Sequence, residues 1–388
     1  MDGTLLRGRT GAPEDTRVGF VELFFDLVFV FAVTQLSHGL IAHLTPLGVI
    51  ETAMLLLSIW WVWVFTAWAT NWLDVETMPV RILLFSLMGC GLLMSLSLPQ
   101  AFGARGGVFV AAFLAVQIGR PLFMLVALWR NNPHNFRNFQ RMLAWVLASA
   151  PLWIAGALAE HEARLWWWAA ALAIDYAGPF CLFYVPGLGR SATEDWDVEG
   201  LHLAERCGLF VIIALGESIL ITGATFADVP WQTAQIGGFA SAFLGTIAMW
   251  WIYFNVGAER ASHTISHHRD PGRMARLAYT YLHLPIVAGI IVTAAADELV
   301  LAHPLAHGGG LVAALILGGP ALYLMGNIAF KRTNAAHMPL SHLIGLGLLA
   351  AVALLEWHAV PVVLSLASTL VLILVAAWET IAWRRRDG

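Results

Sequence analysis

The chain has 388 residues, a formal net charge of −4, and only 12% charged residues against 59% hydrophobic ones. A soluble domain carries about a quarter charged residues, so this composition excludes an ordinary soluble globular protein and places the chain in the bilayer. Apolar runs of about 20 residues recur along the sequence, where an outer-membrane barrel would show short alternating segments.

Residues 1–17 are polar and read as a short cytoplasmic tail. The first apolar run, VGFVELFFDLVFVFAVTQLSH from Val18 to His38, holds Glu22 and Asp26 one helical turn apart on a shared face that continues through Val33 and Ser37. It is too long for a signal h-region, carries two acids and lacks a small-residue cleavage site, so insertion through the chain's own helices is expected. Further spans are predicted near 46–70, 79–102, 107–129, 140–159 and 165–187, then 202–225, 232–257, 274–296, 309–330, 339–357 and 360–383. The predicted fold class is therefore an all-α polytopic membrane protein of about 12 transmembrane helices.

The halves show internal similarity. DLVFVFAVTQLS from Asp26 resembles GLFVIIALGESI from Gly208, Trp60–Trp61 matches Trp250–Trp251, Arg81 matches Arg276, and Pro121 matches Pro320 in the same order. This predicts two parallel six-helix repeats, 18–190 and 202–388, joined by a cytoplasmic linker at 191–201. Basic residues gather in alternate loops, among them Arg17, Arg81, Arg130, Arg137, Arg260, Arg269, Arg332 and Arg384–Arg386, while the opposite loops keep only Arg105 and Arg164. By the positive-inside rule both termini are cytoplasmic, in a bacterial inner membrane. The tryptophans at Trp60, Trp61, Trp63, Trp166–Trp168, Trp250, Trp251 and Trp383 are expected to be interfacial anchors.

A charged side chain at the bilayer centre costs about 2.5–3.5 kcal/mol on insertion scales, so intramembrane charges are expected to face protein or water. Asp26 lies ~12 Å along its helix from Val18, beyond easy reach of the interface. In the seventh span, His202, Arg206, Ile213 and Glu217 share one stripe, and Gly216 permits close backbone approach. Arg120 precedes Pro121 in the fourth span, and Asp175 lies in the sixth. Two readings stand side by side. Either Glu22, Asp26, Arg206 and Glu217 line a path for a proton, ion or small solute, with Glu205, His202, Arg120, Asp175 and Ser37 as secondary candidates, or an acid of the first span pairs statically with Arg206 or Arg120. For Asp175 the bland alternative is a hydrogen bond to a neighbouring Tyr or to the backbone.

His263 and His267 have metal-binding spacing, but flanking Arg260 and Arg269 favour a solvated loop. Asp297, Glu298, His303 and His307 read as a wet outer loop that could sense pH or hold a divalent cation weakly. Cys90, Cys181 and Cys207 read as small buried hydrophobes. No phosphate-binding loop, GxSxG or HExxH occurs, so no cofactor, no resident metal and no nucleic-acid partner is expected, and an enzyme is not favoured.

VELFFDLVFVFAVTQLS at 21–37 and ERCGLFVIIALGES at 205–218 resemble the bacterial low temperature requirement A family (LtrA), over nearly the full chain. The resemblance singles out Glu22, Asp26, Glu205, Arg206, Gly208, Gly216 and Glu217. It implies a polytopic bacterial inner-membrane protein, attaches no biochemical activity, and links the family by name to growth in the cold. The expected function is a transporter or channel-like protein. The alternatives are a membrane-embedded enzyme acting on a lipid or apolar substrate, and a structural or stress-response protein with static ion pairs.

Overall fold

A computed structural model describes residues 5–7, 17–129, 132–192, 200–255, 276–306, 310–334, 339–354 and 359–387. Among them there is no strand, and twelve long helices carry the fold. They are α1 Phe20–Ala42, α2 Pro46–Trp72, α3 Met78–Ser97, α4 Gly106–Leu128, α5 Pro133–Leu158, α6 His161–Phe180, α7 Gly200–Asp228, α8 Thr233–Phe254, α9 His283–Ala302, α10 Gly310–Asn334, α11 Leu340–Ala353 and α12 Pro361–Asp387. Ten of the helices are long and apolar enough to cross a membrane. The exceptions have physical causes. α11 has 14 residues, ~21 Å at 1.5 Å per residue, short of a ~30 Å core. α6 spends His161, Glu162, Arg164 and Asp175 within its 20 residues.

Local chemistry sets several boundaries. α5 begins at Pro133, seven residues before the predicted start, because the Asn132 side chain accepts the Asn135 N–H at 3.1 Å and Pro133 needs no donor there. α6 stops at Phe180 rather than near 187. Leu182 and Phe183 adopt positive φ (52° and 47°), and Phe183 N–H returns to Gly178 O at 2.8 Å. A Cβ on Gly178 would stand 2.8 Å from the Phe183 ring, so glycine makes room for that return. Residues 5–7 are not a free tail: Arg7 N–H donates to Trp72 O, and Asp74 N–H to Leu5 O.

The described residues form two compact units. The first runs to Glu205, without Leu40–Thr45, and is built on α1–α6. Its centre is α2, buried from Ser58 to Trp72 on every face, as befits a helix surrounded by protein rather than lipid. Trp60, Trp63 and Trp68 are therefore core residues, as is Trp168 of α6. Trp60, Trp61, Trp63 and Trp168 are thus not the interfacial anchors expected from sequence, whereas Trp166 and Trp250 are exposed. Aromatic packing fills this core: Trp60 lies 5.0 Å from Trp63, and Trp153 5.6 Å from Trp168, between ring centroids.

The second unit comprises Leu40–Thr45 and the chain from Arg206, with most of α7 and α8–α12. Here α9 and α10 meet backbone to backbone. A Cβ on Gly289 would fall 2.5 Å from Tyr323 N, one on Gly319 2.5 Å from Thr293 Oγ1, and one on Gly326 2.8 Å from Ile286 N. Lipid tails compete for apolar contact in a membrane, so such small-residue seams hold helices together by close dispersion contact.

Candidate functional site

Glu22 and Asp26 sit in the first two turns of α1, and neither side chain is exposed. Gly19 precedes the helix, and its N–H donates to Glu22 Oε2 at 2.9 Å while the Glu22 N–H returns to Gly19 O at 3.0 Å. Glu22 thus occupies the third helical position and closes the reciprocal half of a capping box. The same Oε2 receives two further groups. Arg7 approaches to 3.6 Å, and His202 Nε2, in the first turn of α7, to 3.1 Å.

His202 is fully buried, and its Nδ1 lies 3.3 Å from the amide nitrogen of Asn71 on α2. An amide nitrogen only donates, so Nδ1 accepts and the ring proton resides on Nε2, where it donates to Glu22. The result is a continuous buried chain, Asn71 to His202 to Glu22, with Arg7 at its edge. Glu205, three residues beyond His202, is exposed and accepts the Val18 N–H at 3.3 Å. The first turn of α7 is thereby tied to the start of α1.

Asp26 accepts the indole N–H of Trp63 at 2.8 Å. Asp175 follows the same rule elsewhere in the unit, accepting Ser149 Oγ–H at 2.6 Å and Trp153 Nε1–H at 3.0 Å, both from α5. Its partners are a serine and a tryptophan, not the tyrosine or backbone group considered from sequence. Indole holds its proton at any working pH, so the Trp63 and Trp153 bonds orient and stabilise a carboxyl group without relaying a proton.

Arg120 does not pair with either acid of α1. It donates to Val62 O and Thr66 Oγ1, each at 3.1 Å, and to Gln117 Oε1 at 2.8 Å, over the face of Phe65. Ser37 donates to Thr34 O of its own helix at 3.0 Å, which makes it part of the local helix bonding. In the second unit Arg206 and Glu217 of α7 are both buried. Ile213, between them on the stripe expected from sequence, is half-buried.

The sequence reading missed a further cluster in the second unit. Lys331 at the end of α10 donates to both oxygens of Glu379 on α12 at 2.9 and 2.7 Å and to Ile252 O of α8 at 2.9 Å. His342 of α11, fully buried, stands 3.5 Å from Glu379 and 3.4 Å from Lys331. Glu379 is an acid inside the last apolar run. The cost argument applied to Asp26 was sufficient to flag it.

Asp297 and Glu298 also correct an expectation. α9 runs on to Ala302, so both lie within the helix, and Asp297 is buried rather than in a wet loop. No group of three His, Cys, Asp or Glu side chains able to hold a metal occurs among the described residues. His263, His267, Arg260, Arg269 and His307 lie outside them, as does the Trp383 side chain.

Apolar spanning helices with ionisable groups folded into their interior define a multi-pass helical membrane protein. The bacterial low temperature requirement A (LtrA) family matches residues 17–377, and the chain belongs to that family. It is 42% identical over 379 residues to an uncharacterized protein, RA0937, of Rhizobium meliloti (strain 1021), covering 95% of this chain and 90% of that one. No solved structure matches.

Proposed function

We propose that this protein is a transporter or channel-like protein moving a proton, an ion or a small solute along a path lined by Glu22, Asp26, Arg206 and Glu217. The observation that carries the reading is the hydrogen bond between His202 and Glu22, two fully buried groups joined at 3.1 Å. Imidazole and carboxylate exchange a proton readily, and a membrane helix that bears the cost of burying both gains nothing in packing over an apolar pair. Asp26 lies one turn further along α1, and Arg206 and Glu217 continue the stripe that His202 begins on α7.

The wider reading is a bacterial inner-membrane protein of two six-helix repeats with both termini cytoplasmic. The ordered similarities between the halves and the uneven distribution of arginine support it. A second reading, a structural membrane protein with static pairs, draws on Arg7 and Gly19, which hold Glu22 as a helix cap.

Reconstituted vesicles decide between them. Flux lost in both Asp26→Asn and Glu217→Gln supports the path; flux unchanged in both removes these acids from the mechanism.

A further inference from the structure

We propose that Asp297 is a proton-binding site inside the second unit, a carboxyl group held in its neutral form. Only 6% of the residue is exposed, and its Oδ2 is buried with no hydrogen-bond partner. No basic group stands within 4.0 Å of it among the described residues. Asp297 thus differs from Asp175, which has two donors, and from Glu379, which has Lys331.

The helices around it deepen the contrast. Thr293, one turn earlier on α9, abuts the Gly319 position of α10 and turns its hydroxyl back to Gly289 O at 2.8 Å. Val300 and Leu301, one turn later, abut Gly238 of α8. From α12, Ser368 donates to Ile316 O of α10, while Ser241 of α8 binds Ser365 and Thr369 of α12 at 2.8 and 3.0 Å. These hydroxyls are already engaged, with one another or with backbone carbonyls.

Titratable groups are scarce at this depth. The facing halves of α8 (233–243), α10 (310–321) and α12 (361–374) contain none, and α9 itself offers Glu298 beside Asp297 and His303 at its end. The seam between α9 and α10 is too tight at Gly289, Gly319 and Gly326 for a hydrated metal ion to reach from that side.

An isolated carboxylate in such surroundings lacks both the solvent and the cation that would offset its charge. A proton is the one counter-ion that needs no cavity. It also supplies a donor hydrogen to a group that otherwise only accepts. This site stands independently of whether the chain moves a solute.

Infrared difference spectroscopy of the full-length protein in lipid, wild type against Asp297→Asn, reads the state directly. At about pH 7, the expected result is loss of a neutral-carboxyl C=O band in the variant; loss of a carboxylate band instead overturns the proposal. Asparagine copies the shape of the neutral acid, so the variant is expected to fold. A second measurement needs no variant. In the wild type the neutral-carboxyl band should persist at about pH 6, some two units above the range of an exposed carboxyl; its absence there contradicts the assignment.

Discussion

Nε2 of His202 lies 3.1 Å from Oε2 of Glu22, and neither side chain is exposed. The two residues are 180 positions apart in the chain. Their bond joins the first turn of α7 to the first turn of α1 and leaves an exchangeable proton between a carboxylate and an imidazole. Its worth to the fold is separable from its worth to function.

Replacing His202 with Ala strips one partner from Glu22 and one from Asn71, all of them buried. The expected loss of stability is about 1–3 kcal/mol, since Arg7 and the Gly19 N–H still serve Glu22. Glu22→Gln keeps an acceptor and should cost less. Thermal unfolding of the purified protein in detergent checks the order; a larger loss in Glu22→Gln than in His202→Ala contradicts it.

The Trp63–Asp26 bond predicts coupling between the two positions. Trp63→Phe retains most of the ring but leaves a buried carboxyl oxygen without its indole donor, for about 1–3 kcal/mol. Asp26→Ala removes the acceptor altogether, so each single change breaks the bond. A double-mutant cycle should therefore be non-additive by about 0.5 kcal/mol or more. Strict additivity in chemical denaturation would show that the bond contributes nothing.

Arg120 offers a fork whose geometry matters as much as its charge. Lysine at this position keeps the charge but reaches only part of the set formed by Val62 O, Thr66 and Gln117. Arg120→Lys is expected to lower the unfolding temperature clearly, with no rescue by raising salt, because the site is buried. Wild-type stability in Arg120→Lys would mean that charge alone suffices.

Adjacent glycines give an internally controlled test of the α9–α10 seam. Gly319→Ala brings a methyl to within 2.5 Å of Thr293, whereas a Cβ on Gly318 meets nothing within 4 Å. The first should destabilise by about 1–3 kcal/mol through overpacking. The second should be neutral or stabilise by up to about 1 kcal/mol, as an alanine in a helix interior does. Equal effects at the two positions would contradict the seam.

Much of this was legible beforehand, for stated reasons. Twenty-residue apolar runs and scarce charge mark the helices and the membrane, because a bilayer punishes every departure from that pattern. The burial of Glu22, Asp26, His202, Arg206 and Glu217 followed from the same cost. Partners did not follow. Which donor reaches Asp26 depends on how α2 is rotated, and a helix buried on all faces, as α2 is from Ser58 to Trp72, has no amphipathic stripe to report that rotation. The tryptophans of α2 misled because interfacial and core tryptophans look alike in sequence. Asp297 misled because a span drawn six residues short puts a buried acid into a loop.

The claim on which the account rests is that buried acids exist here to pass charge rather than merely to hold helices together. Sealed vesicles containing the purified protein, with a pH-sensitive dye inside and a potassium diffusion potential imposed across the membrane, read this directly. The account predicts an acidification rate well above that of protein-free vesicles, falling to that background in Asp26→Asn. Wild-type vesicles that acidify no faster than protein-free ones, and pass no other ion or solute offered, would contradict it.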